Sequence, residues 1–122
     1  LKRGAVATSV SHDSHNIIVV GAGEEDMAAA VNRVAENRGG IVVMEGGRVQ
    51  GEVALPVAGL MSDGTLEEVN SALEAAKDAA FALGVSREID PFMTLSFMSL
   101  PVIPTLRLTT RGVIDVDKQQ YV

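Results

Sequence analysis

Six consecutive polar residues, Ser11-His12-Asp13-Ser14-His15-Asn16, hold both histidines of a 122-residue chain. Imidazole, carboxylate, hydroxyl and carboxamide in one short run supply proton carriers, metal ligands and hydrogen-bonding groups of both kinds. On a helix, His12-x-x-His15 would place both rings on one face, a spacing that can bind one metal ion. The flanks argue against a helix. Val6, Thr8 and Val10 alternate in "GAVATSV", and Ile17–Val20 is an apolar run, so both sides read as strands. Two imidazoles and one carboxylate leave a zinc site short of its usual four ligands. The chain has no cysteine and offers no other ligand cluster. No metal ligand and no catalytic residue is therefore assigned within the chain. A polar loop in which Asp13 and Asn16 cap backbone groups stands beside a binding role for the same residues.

The elements that must position this run follow from patterning. Gly4 to Val10 is expected as one strand. Ile17 to Ala22 is expected as a second, apolar on both faces and so central. "GEEDMAAAVNRVAENRGG" follows as a helix with Met27, Val31, Val34 and Ala35 on one stripe. Glu24, Glu25 and Asp26 lie in its first turn, where carboxylates suit the positive end of the dipole, and Gly39–Gly40 end it. "VVGAGEED" has the outline of a dinucleotide-binding turn. However, Asp26 stands where the third glycine belongs, and three carboxylates would repel a pyrophosphate. A tight turn into a dipole-matched helix start is the better reading.

"GIVVMEGGRVQGEVALP" reads as a hairpin turning at Gly46–Gly47. "LPVAGLMSDG" reads as a loop that packs against something. Thr65 and Glu68 form a capping box before a helix with the stripe Leu66, Val69, Leu73, Ala76, Ala80 and Leu83, closed by Gly84. Asp90–Pro91 cap a short third helix through "FMTLSFMSL", which Pro101 terminates. That helix is apolar almost all round and must be covered on all sides. "LRLTTRGVIDVD" is a second hairpin, turning around Thr110–Gly112. The fold class expected is α+β: one domain, a mixed β-sheet, two main helices and one short apolar helix.

Composition narrows the function classes. Hydrophobic residues make up 47% and aromatics 3%, so the core must be aliphatic. A net charge of −6 argues against nucleic acid, whose phosphates need clustered Lys and Arg, and against an anionic membrane surface. No apolar run approaches the roughly 18 residues of a membrane helix. The absence of cysteine suits the cytoplasm. A first residue of Leu1 suggests a piece of something longer.

Three stretches, in order, carry a family resemblance. "ATSVSHDSHNIIVVG" resembles the start of the C-terminal domain of bacterial and archaeal adenine deaminases, members of the amidohydrolase superfamily. "LPVAGLMSD" and "DPFMTLSFMSLPVIPTLRLTTRGVIDV" resemble later stretches of that domain, so the likeness covers residues 1–122. The resemblance implies a purine-salvage hydrolase that converts adenine and water to hypoxanthine and ammonia. It also implies that Mn or Fe ions sit in a preceding (β/α)₈ barrel that is missing from this chain, so the chain by itself is expected to be inactive. In such an enzyme the Ser11–Asn16 loop would close over the barrel mouth. His12, Asp13, His15 and Asn16 are then the substrate-binding candidates, with Asp13 orienting a histidine. The implied partners are the barrel, adenine and a second copy of the chain, with no nucleic acid and no membrane. The alternative is a non-catalytic α+β module for interaction or small-ligand binding.

Overall fold

The computed structural model describes residues 1–11 and 16–122. Its strands and helices follow in the order β1 (Ala5–Thr8), β2 (Ile18–Gly21), α1 (Glu24–Glu36), β3 (Gly40–Glu45), β4 (Arg48–Ala54), α2 (Leu66–Ala82), α3 (Pro91–Ser96), β5 (Leu106–Thr109), β6 (Gly112–Asp115) and β7 (Gln120–Tyr121). Two sheets result, ordered β2-β1-β3-β4 and β5-β6-β7. The α+β class stands. Every described strand pair is antiparallel, where a mixed sheet was expected. β1 lies between β2 and β3 with both neighbours reversed, so no crossover forces a parallel pair.

The period of two in a strand decides the layers. Ala5, Ala7, Val42 and Met44 point to one face of the first sheet and pack with Ala30 and Val34 of α1. Val6, Ile41 and Val43 point to the other face and pack with Ala76, Ala80, Leu83, Phe92 and Leu95 from α2 and α3. The result is a helix–sheet–helix sandwich whose inner strands are covered on both faces. β1 is buried at every position, so its alternation separates two cores, not core from solvent. β2 corrects an expectation: it is an edge strand and not central, with Val20 44% exposed. An apolar run marks burial on two faces only when helices cover both.

Gly46 and Gly47 turn the β3–β4 hairpin with φ of 59° and 76°, the positive values that a two-residue turn of this twist requires. One extra residue then bulges β4 between its pairs Val43↔Gly51 and Met44↔Val49. Gly51 is needed there, because a Cβ would lie 2.8 Å from Ala76 Cα. α2 therefore rides directly on β4.

The starts of α2 and α3 follow the sequence closely. Thr65 and Glu68 form the reciprocal capping box, and Asp90 accepts from the N–H groups of Phe92 and Met93. Stripe membership is corrected at two places. Ala30, not Ala35, completes the buried face of α1, and Leu66 is exposed at the first turn of α2. α3 ends at Ser96, short of Pro101, and Met93 remains 47% exposed. The helix is thus covered on one side within this chain, not all round. The 55–64 loop does pack against its own domain: Ser9 Oγ donates to Gly59 O at 2.6 Å and accepts from Gly40 N at 2.8 Å.

Candidate functional site

Of the four substrate-binding candidates, Asn16 lies within the described residues. His12, Asp13 and His15 lie outside them. The residues on either side of the run are fixed. Thr8 pairs with Ile18 across β1 and β2, so the polar stretch connects two neighbouring antiparallel strands at one end of the sheet. Before it, Ser11 is buried, and its Oγ lies 2.6 Å from Ser99 Oγ. That bond ties Ser11 to the segment that follows α3. After it, the Oδ1 of Asn16 is buried and has no hydrogen-bond partner among the described residues.

Asn16 opens onto two grooves. One of about 180 Å³ runs along Ile17, Ile18, Val19 and Leu108. The other, of about 380 Å³, runs along Leu100, Pro101 and Val102. Both are lined by Asn16, Ser99, Thr109 and Thr110. A polar row thus lies between two apolar flanks, the composition expected of a site for a small, flat, partly polar molecule.

Short bonds hold the far wall. Leu108 N donates to Met98 O at 3.0 Å, which seats β5 against the end of α3. At the β5–β6 turn, Thr109 Oγ1 donates to Gly112 O at 2.8 Å and accepts from Arg111 N. Thr110 is exposed beside it. Sequence reasoning missed Ser99, Thr109 and Thr110 as site residues. Ser99 is separated from Ser11 by 88 positions, and no local spacing joins them. The available signal was polarity: hydroxyls set in an otherwise apolar stretch.

All the groove residues named are uncharged side chains, so this part of the candidate site offers hydrogen bonding and apolar contact. Among the described residues the perturbed ionisable groups lie elsewhere. Glu52 takes a two-bond ion pair from Arg33 at 2.8 and 2.9 Å. Those hydrogen bonds hold its carboxyl below the ordinary carboxylate value and push the guanidinium up. Partial burial raises the Asp90 carboxyl, but bonds from Met93 N, Phe92 N and Lys77 outweigh it, and the net direction is down. Both groups brace elements: Glu52 joins α1 to β4, and Asp90 starts α3. The acidic turn Glu24–Asp26 is also structural, with Asp26 Oδ1 accepting from Gly47 N. Among the described residues no group of three or more His, Cys, Asp or Glu could hold a metal ion. None of the described residues is therefore assigned to the Mn or Fe ions, which the resemblance places in the preceding barrel.

Compared with protein-family models, residues 1–120 match the adenine deaminase C-terminal domain. The chain belongs to that family. It is 57% identical over 118 residues to an adenine deaminase of Sinorhizobium fredii and 56% identical over 118 residues to adenine deaminase 1 of Rhizobium johnstonii. Each alignment covers 97% of this chain and 21% of the relative. An adenine deaminase of Brucella melitensis is 53% identical over the full 122 residues, again across 21% of its own length. The chain thus spans about a fifth of the length of the curated relatives it matches. Family membership accounts for the polar stretch, the 55–63 loop and the α3–β6 segment occurring together. Among the described residues no helix is long and apolar enough to cross a membrane.

Proposed function

We propose that residues 1–122 form one domain of a longer adenine deaminase, a hydrolase that converts adenine and water to hypoxanthine and ammonia in cytoplasmic purine salvage. The observation that carries this reading is the match to proteins named adenine deaminase at 53–57% identity along nearly the whole chain. The geometry adds support, because the Ser11–Asn16 stretch ends in a neutral groove with an unused hydrogen-bond acceptor. A carboxamide, hydroxyls and apolar flanks suit a purine ring.

In this reading the domain contributes binding, not bond breaking. His12, Asp13, His15 and Asn16 contact or enclose the base, and the chain's own barrel partner carries the Mn or Fe ions that supply an activated water. What this chain's residues do is orient the purine and exclude water around it, which strengthens each hydrogen bond made there. The test compares two proteins in an adenine-to-hypoxanthine assay with added Mn²⁺. The longer protein carrying this domain turns adenine over, and the 122-residue chain does not. In the longer protein at least one of His12→Ala and His15→Ala lowers kcat/KM about tenfold or more, equivalent to ~1.4 kcal/mol, with metal content unchanged. Normal kinetics in both variants would leave the histidines with a structural role. Metal loss would place a ligand in this domain.

A further inference from the structure

Asn16 brings the carboxamide of the groove, and a carboxamide presents one acceptor beside two donors. Its Oδ1 is buried without a partner among the described residues, so a bound molecule that offers an N–H relieves an unmet acceptor once the carboxamide turns toward the groove. Val19 and Leu108 line one groove beside Asn16 and Val102 lines the other, so each groove offers apolar surface to a face of a flat ring.

The chemistry of adenine decides which edge it presents. In hydrolytic deamination water oxygen bonds to C6, the bond from C6 to the exocyclic nitrogen breaks, ammonia leaves, and a proton ends on N1. The C6–N1 edge must therefore face the reacting groups. The groove residues around Asn16 are uncharged, and a carboxamide neither activates water nor carries a proton at neutral pH, so Asn16 suits a different edge. N7 is a lone acceptor next to the reacting amine. Across the ring from C6, N3 and N9–H stand side by side as one acceptor and one donor, the complement of a carboxamide.

Resting on the proposed adenine chemistry, we propose that Asn16 reads the N3/N9–H edge and thereby selects the free base over N9-substituted purines. Oδ1 accepts from N9–H and Nδ2 donates to N3. A substituent at N9 removes the proton and occupies the position of the bond. The Ser11–Ser99 bond holds Ser11 against Ser99, a residue that lines the same grooves as Asn16.

The test uses the full-length enzyme carrying this domain, with adenine and 9-methyladenine as substrates. The wild type prefers adenine by roughly hundredfold or more, since a site built to bond an N–H rejects the analogue that lacks it. Asn16→Ala lowers kcat/KM for adenine roughly tenfold or more and leaves 9-methyladenine within about twofold, so the preference shrinks. Asn16→Asp, near-isosteric, keeps the acceptor and loses the donor. Replacing adenine by 3-deazaadenine then costs the wild type activity and costs this variant nothing further. Melting temperatures confirm that both variants fold. If Asn16→Ala lowers both substrates alike, or neither, Asn16 does not read this edge, and the proposed function stands without it. If the wild-type enzyme does not turn adenine over, both readings fall.

Discussion

β1 and the β5–β6 hairpin use similar apolar residues and end in opposite states. Ala5 through Thr8 are buried. Leu106 and Leu108 of β5 are 49% and 51% exposed, and Val113, paired with Leu108, is 40% exposed. Those three side chains share one face, since cross-strand partners and every second residue point the same way. The difference lies in what covers each strand. β1 has a strand on each edge and helices on both faces. Among the described residues no helix packs closely on the β5–β7 sheet, and backbone bonds such as Leu108 N to Met98 O tie it to the rest. One region completes its burial inside this chain. The other carries the groove wall and leaves apolar surface unused.

Truncating one large side chain in each region puts that contrast at risk most sharply. Phe92 is 4% exposed and sits in the core shared by β1, β3, α2 and α3. Phe92→Ala should cost about 3–5 kcal/mol in urea unfolding of the 122-residue chain, from lost burial and a cavity. An effect below about 1 kcal/mol would mean that the sandwich core is looser than its burial implies.

This contrast also explains what was legible beforehand. Local devices were readable because their causes are local: the Gly46–Gly47 turn, the Thr65–Glu68 box and the Asp90–Pro91 start all stand as expected. Strand order was not, because an apolar run such as Ile17–Val20 looks the same at an edge or a centre. Asn16 was legible as a polar residue at the end of a loop. Its groove was not, because Ser99, Thr109 and Thr110 reach it only through the return of the chain after α3. The resemblance had already marked that stretch, without saying which of its residues would meet the loop.

A smaller effect sharpens the comparison through pH. Glu52 and Asp90, whose carboxyls are held low, both brace the sandwich and not the hairpin. A carboxylate with a depressed folded-state pKa stabilises fully above its unfolded value, and that contribution is lost as pH falls through the folded value. The ordinary values are 4.5 and 3.8. Stability of the chain should therefore be level at neutral pH and fall on acidification below about 4.5. Asp90→Ala should cost about 1 kcal/mol at pH 7, as the loss of an N-cap does, and should flatten the acid limb. An unchanged acid limb would mean that Asp90 does not couple α3 to the fold.

The smallest effect is expected in the hairpin, and there the setting of the measurement decides. Leu108 projects a half-exposed side chain beside the Asn16 groove. Leu108→Ser removes little buried area from the 122-residue chain, and exposed substitutions of this kind usually stay within about 0.5 kcal/mol. Urea unfolding of that chain should barely register it, in contrast to Phe92→Ala. In the longer enzyme the proposed base stacks against Leu108 and buries it. The same substitution should there raise KM for adenine, lower the melting temperature, or both. Losing apolar surface that is buried only in the assembled enzyme costs about 25 cal/mol per Å², and that cost is invisible in the separate domain. A large loss of stability in the 122-residue chain would show that the hairpin is part of its core. No effect in either setting would show that the apolar face of β5 meets nothing, and the groove would lose one wall of its proposed role.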